Sequence, residues 1–385
     1  MTRPPAVMTA SCLAMLTLSF SVAGPAMCMP AMARDLHLGY AEQGLLFSAP
    51  MWPFALPLLA AALADRVGFR GLLLLACVTQ AAGWLLLAEA RSFHEAIGAA
   101  VLAGIGGSIL EPLLTPMVCA VYPERRAKMA NFLHAFYCVG LVGVALGVAF
   151  LVPAGLTWRW TFRGLGVLCV PYGLASAILA LPAQAHRGPV RLKARTLARQ
   201  PVFWLLALTL ALAAATELGP GNWLPSFVES LAPAGGGPDA RLVPAGLGLA
   251  LFGALMAAGR LATSALGSRL GVPRLLMLAA AVSTVCLAAV ALPLGTVWRI
   301  SCLGLVGFAV ACFWPTLLAV AGDRFPQAGA SMFSVLSTVG GMGCAAAPAA
   351  LGYLAGVLGS LAPAIACLAV APALILVAGA CLRRT

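Results

Sequence analysis

Apolar positions in this chain run on without interruption instead of alternating with polar ones. Val7 to Ala33 holds no Asp, Glu, Lys or Arg, and Ile97–Leu110 and Pro201–Thr216 read the same way. Only α-helices and closed β-barrels satisfy every backbone hydrogen bond in a bilayer, and a barrel strand would read as about ten residues of alternating character. Continuous runs therefore predict helices. A crossing needs about 20 residues at about 1.5 Å each. Cutting the chain at its charge clusters predicts twelve, near 7–32, 44–63, 71–89, 96–121, 131–153, 163–181, 201–229, 243–266, 272–294, 300–321, 330–352 and 356–381. The first run stays uncharged for about 26 residues, longer than the 7–15-residue core of a signal peptide, so a retained first span is expected.

Composition agrees. Of 385 residues, 62% are hydrophobic and 9% charged, against roughly 45–50% and about 25% in soluble domains. This excludes an ordinary soluble domain, and disorder needs the opposite balance. The formal charge of +12 is mostly a topology signal. With a cytoplasmic N-terminus the inside loops carry Arg3, Arg66, Arg70, Arg125, Arg126, Lys128, Arg187, Arg191, Lys193, Arg195, Arg199, Arg260, Arg269, Arg274, Arg324, Arg383 and Arg384, seventeen cations. The outside loops carry six: Arg34, Arg91, Arg159, Arg163, Arg241 and Arg299. Positive loops stay inside, so both termini are expected in the cytoplasm, and nothing proposes nucleic acid as a partner. The twelve cysteines show no C-x-x-C and no Cys/His metal spacing; helix packing is their expected role, and no cofactor or metal is expected. No catalytic constellation stands out, so an enzyme is not expected.

The longest non-membrane stretch, 182–200, is basic and follows the sixth span. It divides the chain into a six-helix half at 1–181 and another at 201–385. An offset of 203 residues aligns Arg66 with Arg269, Gly68 with Gly271, Pro112 with Pro315, Pro123 with Pro326 and Gly140 with Gly343. Two facing halves would enclose a cavity at the bilayer midplane.

Between the second and third spans stands Ala62-Leu63-Ala64-Asp65-Arg66-Val67-Gly68-Phe69-Arg70, with a weaker echo at Gly267–Arg274 that lacks the Asp. This resembles the cytoplasmic loop signature of the major facilitator superfamily. Tyr122-Pro123-Glu124-Arg125-Arg126 resembles that superfamily's next cytoplasmic loop, and Trp158-Arg159-Trp160 is also similar. The resemblance implies an all-α fold of twelve transmembrane helices in two pseudo-symmetric halves, working by alternating access in the plasma (inner) membrane as a monomer. Asp65, Arg66, Gly68, Arg70, Glu124, Arg125 and Arg269 become gating candidates. Physically, Asp65 at a helix end can pair with nearby arginines or face a helix N-terminus, and Gly68 permits a tight turn.

Two acids remain inside predicted helices, Glu111 and Glu217. A charge at a helix centre costs about 2.5–3.5 kcal/mol even on the mild insertion scale, so each should face a wet cavity, pair, or hold a proton. Glu111 sits near the midplane, with no Lys or Arg expected at its depth, and is the proton-coupling candidate; a neutral acid hydrogen-bonded between helices is the structural alternative. Glu217 is balanced between solute hydrogen bonding, coupling and architecture. After it, Gly219-Pro220-Gly221 is expected to break the helix, with Asn222 and Trp223 offering an amide and a ring suited to a sugar; Trp223 could equally be an interfacial residue. Asn131, His134 and Tyr137 lie on one side of the fifth span, where His134 could bind solute, relay a proton or make an interhelical contact.

Three stretches, Leu110–Pro116, Asn131–Phe136 and Thr216–Pro225, together resemble the fucose–galactose–glucose proton symporters of that superfamily. The resemblance implies Glu111 as a key acid near the sugar, with Glu217, Asn222, Trp223, Asn131 and His134 around it and Trp314 from the similar tenth helix. The first helix departs from that group, because Pro25-Ala26-Met27-Cys28-Met29-Pro30 holds no acid. Proton-coupled uptake of a sugar-like solute is the leading expectation. Proton-coupled export of a drug or metabolite is the alternative, although Gly140–Gly147 lacks the proline of the drug-antiporter signature. An uncoupled facilitator, and a non-transporting sensor on the same fold, complete the readings.

Overall fold

The computed structural model describes residues 4–55, 57–152, 156–181, 194–197, 199–232, 238–293, 295–325 and 328–384. All regular structure among them is helical, and eleven helical segments are long and apolar enough to cross a membrane. The expected second span has a different build. It starts as Tyr40–Ser48, tightens into a 3-10 turn at Ala49–Ala55, and resumes in Pro57–Glu89, which turns sharply at Gly68 into the third span. Two prolines, Pro50 and Pro53, account for the tightened stretch, since proline removes a donor and crowds the preceding turn.

The other spans are Pro4–Leu18 with Phe20–Asp35 (first), Phe93–Val121 (fourth), Arg126–Leu151 (fifth) and Trp158–Ile178 (sixth). Pro201–Ser230, Pro238–Leu270 and Val272–Ala289 follow as seventh to ninth. Thr296–Val310 with Phe313–Arg324 forms the tenth, Gly329–Leu358 the eleventh, and Leu361–Cys367 with Val370–Arg384 the twelfth. Of the 182–200 linker, Ala194–Leu197 is a single helical turn; 182–193 lies outside the described residues.

One expectation is corrected here. Gly219-Pro220-Gly221 does not break the seventh span, which runs as one helix from Pro201 to Ser230 with Pro220 and Pro225 inside it. Packing explains why: Gly219 lies against Leu368 and Leu351, and Gly221 against Phe252. Neighbouring helices re-satisfy proline-disturbed backbone in membrane bundles.

Hydrogen bonds sort the loops into two faces. On one, Asp35 accepts from Trp158 Nε1 at 2.7 Å, Arg163 pairs with Glu89 at 2.6 Å, and Arg159 Nη1 donates to Ala88 O and Ala90 O at 2.9 and 2.8 Å. This is called the clasp face. On the other, the linker face, Arg70 Nη2 donates to Leu179 O at 2.8 Å, and the rings of Phe203 and Phe325 meet at 6.2 Å.

The first six spans pack mainly among themselves, as do the last six; the seam between them joins the second span to the eleventh, the fifth to the eighth, and the first to the seventh. The second-to-eleventh contact is close enough to be made of main chain. A Cβ on Gly44 would collide with Pro348 O, and one on Gly352 with Tyr40 O and the Gly44 backbone. Ser48 Oγ also donates to Ala345 O across this seam. Small residues permit such approach where lipid gives helices no hydrophobic reason to associate.

The 203-residue offset has a conformational counterpart. Gly68 and Gly271 both adopt left-handed backbone, with φ of 71° and 75°, a region open to glycine without steric cost. Gly140 packs on Leu16 and Ser19 of the first span, and Gly343 on Ala211 of the seventh, so each repeated glycine meets the first helix of its own half. Large apolar side chains such as Ile178, Leu261 and Val297 stand exposed on the outside of the bundle, as contact with lipid requires.

Candidate functional site

The site forms where the fourth, fifth, seventh, eighth and eleventh spans approach one another. Glu111 lies ten residues before Val121, the linker-face end of the fourth span, a depth of about 15 Å. One turn on, Thr115 shares a 3.0 Å hydrogen bond with His134 Nε2 of the fifth span. Residues four apart on a helix share a face, so Glu111 and the Thr115–His134 pair line the same side of the fourth span. Tyr137 follows His134 by three residues and presents its ring to the same neighbour.

That neighbour is Arg260 of the eighth span. It donates from Nη1 to His134 O at 3.1 Å and from Nη2 to Met256 Sδ at 3.8 Å, and its guanidinium carbon stands 5.8 Å from the centre of the Tyr137 ring. Its Nε is buried with no partner. Both Glu111 and Glu217 lie within its electrostatic field, as do His134 and Tyr137. Cys344 of the eleventh span lies within the electrostatic reach of both carboxylates. Neither Glu111 nor Glu217 closes an ion pair; among the described residues the pairs within 4.0 Å are Arg34–Glu229 and Arg163–Glu89, both at the clasp face.

Arg260 corrects the sequence reading twice. It was counted among the cytoplasmic loop cations, and no cation was expected at the depth of Glu111. The structure places it ten residues before Leu270, the same depth as Glu111 measured from the same face. The loop bias survives its removal, since the other sixteen cations expected inside still outnumber the six outside. Its signal was present in the sequence: Arg260 interrupts the apolar run Leu247–Ala265 as Glu111 and Glu217 interrupt theirs.

The remaining candidates are dispersed. Asn131 is exposed, one turn from His134 toward the linker face. Asn222 is buried with Oδ1 unpartnered. Trp223 is fully buried in the seam: its Nε1 donates to Pro348 O at 3.0 Å, and its ring meets Phe47 at 4.9 Å and Tyr40 at 6.1 Å. In this conformation it joins the halves and offers no open ring to a solute. Trp314 is half-buried and lies against Gly340. Of the gating candidates, Asp65 and Arg66 fall outside the residues whose side chains are described. Gly68 makes the positive-φ turn, and Arg70 ties its loop to Leu179 within its own half. Glu124, Arg125 and Arg269 are exposed at the linker face.

This architecture, with ionisable side chains held between two six-span halves, meets its family at the level of the whole chain: the profile of the Major Facilitator Superfamily matches residues 9–348. The chain belongs to the Major Facilitator Superfamily. A fold comparison agrees, since the nucleoside transporter NupG superposes with a TM-score of 0.82 over 98% of this chain and 99% of that one, at 14% identity. That likeness speaks for the fold. Sequence relatives are partial. A Klebsiella pneumoniae protein carrying the name multidrug resistance protein MdtD is 31% identical over 156 residues, 40% of this chain and 32% of its own length. The Saccharomyces cerevisiae vacuolar basic amino acid transporter 5 is 36% identical over 126 residues, 32% of this chain and 21% of its own. The chain thus spans about a third or less of these relatives' length. As a superfamily member it is a multi-pass membrane protein.

Proposed function

We propose that this transporter couples the movement of a small, polar, hydrogen-bonding solute to protons, through a site built from Glu111, Glu217, His134, Tyr137 and Arg260. The observation that carries this reading is the pair of intramembrane carboxylates, one from each half, around a single guanidinium that reaches across the seam to His134 O. Ionisable residues inside a membrane are costly, and they mark solute and proton pathways. A carboxylate facing the open site can take a proton from one side. Once neutral, it no longer opposes occlusion, and rocking of the halves then presents it to the other side. The loop charge bias supports cytoplasmic termini, which makes the clasp face external, and the clasped seam supports a state open toward the cytoplasm.

A sugar-like solute and uptake remain the leading direction and class, supported by the resemblance at Glu111, Asn131–His134 and Glu217. Trp223 lends that class less support than its sequence context did, because its ring is occupied in the seam. Proton-driven export is the second reading, and the similarity to MdtD and to the vacuolar basic amino acid transporter favours it.

The test is proton flux in proteoliposomes challenged with hexoses, deoxyhexoses and amino sugars, then with cationic dyes and basic amino acids. In the uptake reading a sugar drives protons inward, and Glu111→Gln abolishes uphill accumulation while keeping counterflow exchange. Proton release driven by a dye or basic amino acid would select export instead. Uphill transport that survives in Glu111→Gln would remove Glu111 from coupling.

A further inference from the structure

We propose that Arg260 fixes the charge count of the central site at one exchangeable proton per occlusion. The proposal rests on the reading that this site is the transport site, and it adds the stoichiometry and the residue that sets it.

The argument is a balance of charges within one cluster. The fourth span contributes Glu111 and the seventh Glu217; the eighth contributes Arg260, anchored by its 3.1 Å bond to His134 O and its position beside the Tyr137 ring. The fifth span contributes His134, Tyr137 and Cys138, and the eleventh Cys344, all within the same electrostatic neighbourhood. Phenol and thiols are uncharged in their ordinary state near neutrality. The other surfaces packed on the eighth span add no charge: there is no Asp, Glu, Lys or Arg at 4–33 of the first span, 275–294 of the ninth or 300–322 of the tenth, and none in the seventh span at 201–228 apart from Glu217.

With His134 neutral, two carboxylates and one guanidinium leave one net negative charge. An uncompensated charge at mid-membrane depth is strongly unfavourable, so the resting site already holds one added proton and carries it through closure. Without Arg260 the same cluster would need two. Arg260 is thus a positioning residue for the coupling ion. It need not touch the solute, and its geometry fits that role: Nη1 and Nη2 are anchored on His134 O and Met256 Sδ, and among the described residues no carboxylate oxygen comes within 4.0 Å of it.

The test counts protonated carboxyl groups by infrared spectroscopy on the full chain in lipid at neutral pH, with neither solute nor gradient. The wild type should show one protonated carboxyl per chain. Arg260→Gln should double that signal, Arg260→Lys should return it to one, and Glu217→Gln should abolish it. The double variant Arg260→Gln/Glu217→Gln should restore one. A single band retained in Arg260→Gln, or in Glu217→Gln, overturns the proposal. So does a wild-type count of zero, which would make His134 the compensating cation. Should Arg260→Gln fail to fold, Glu217→Gln and Arg260→Lys still decide. A count that follows the series without solute-driven flux sinks the transport reading alone, whereas flux with a flat count sinks this proposal alone.

Discussion

Arg34 and Glu229 meet at 2.8 Å on the clasp face, one from the first span and the other from the seventh, and so bridge the two halves. The neighbouring Asp35 bonds Trp158 within its own half. Consecutive residues thus divide the work, one holding a half together and the other holding the halves to each other.

Exposed ion pairs contribute about 0.2–1 kcal/mol, and the Arg34 side chain is 52% exposed. Arg34→Glu should therefore favour opening of the clasp face by a few-fold at most, about fivefold at the upper limit. Amide hydrogen exchange across Tyr40–Ser48 would read this as faster exchange. Arg34→Glu/Glu229→Arg should restore the original rate, and added salt should erode the difference.

Main-chain contact at Gly44 and Gly352 predicts a larger effect. Gly352→Leu inserts a side chain where Tyr40 O and the Gly44 backbone already lie, so the clasp face cannot close. Exchange at Tyr40–Ser48 should rise well beyond the Arg34→Glu value, and uphill transport should be lost. Gly356→Leu, one turn away with open space around it, should leave both unchanged.

How much of this was legible in the sequence varied with the physics. Span positions followed from hydropathy, because lipid imposes length and apolarity on every crossing helix. Breaks did not. Ser19, Ala311–Cys312 and Leu368–Ala369 interrupt helices with no Gly or Pro at the break itself, whereas Pro25, Pro112 and Pro220 sit inside continuous ones. Neighbouring helices decide these cases, and their arrangement is not written in local composition. Glu111 and Glu217 stood out in the sequence because intramembrane charge is costly, and His134 and Tyr137 because they share one side of the fifth span. Arg260 was missed because it was grouped with the loop cations although the predicted span 243–266 already contains it, six residues from its end.

The Thr115–His134 hydrogen bond joins the fourth and fifth spans beside Glu111. Thr115→Val removes the hydroxyl at similar volume and leaves the imidazole nitrogen without its partner. Solute-driven proton flux should fall and its pH profile should move, while Thr115→Ser should preserve both. An unshifted profile in Thr115→Val would confine His134 to a packing role.

Gln80 organises the interior of the first half: its Oε1 accepts from Thr17 Oγ1 and Tyr172 Oη, each at 3.0 Å. A buried hydrogen bond of this kind contributes about 1 kcal/mol net, so Tyr172→Phe should cost about that much and lower the thermal midpoint. Transport by the folded protein should be unaltered, because both bonds of Gln80 stay within the first half. Retained stability with altered proton coupling would instead connect this node to the central site.

Trp223 gives the molecule an optical reporter. Its indole is sealed among Tyr40, Phe47 and Pro348 only while the second, seventh and eleventh spans stay together. Parting them would strip the ring of its carbonyl acceptor and admit water, reddening its emission. Spectra of the unlabelled protein, with Trp223→Phe as the blank, would then follow each half-turn of the transport cycle as a colour change.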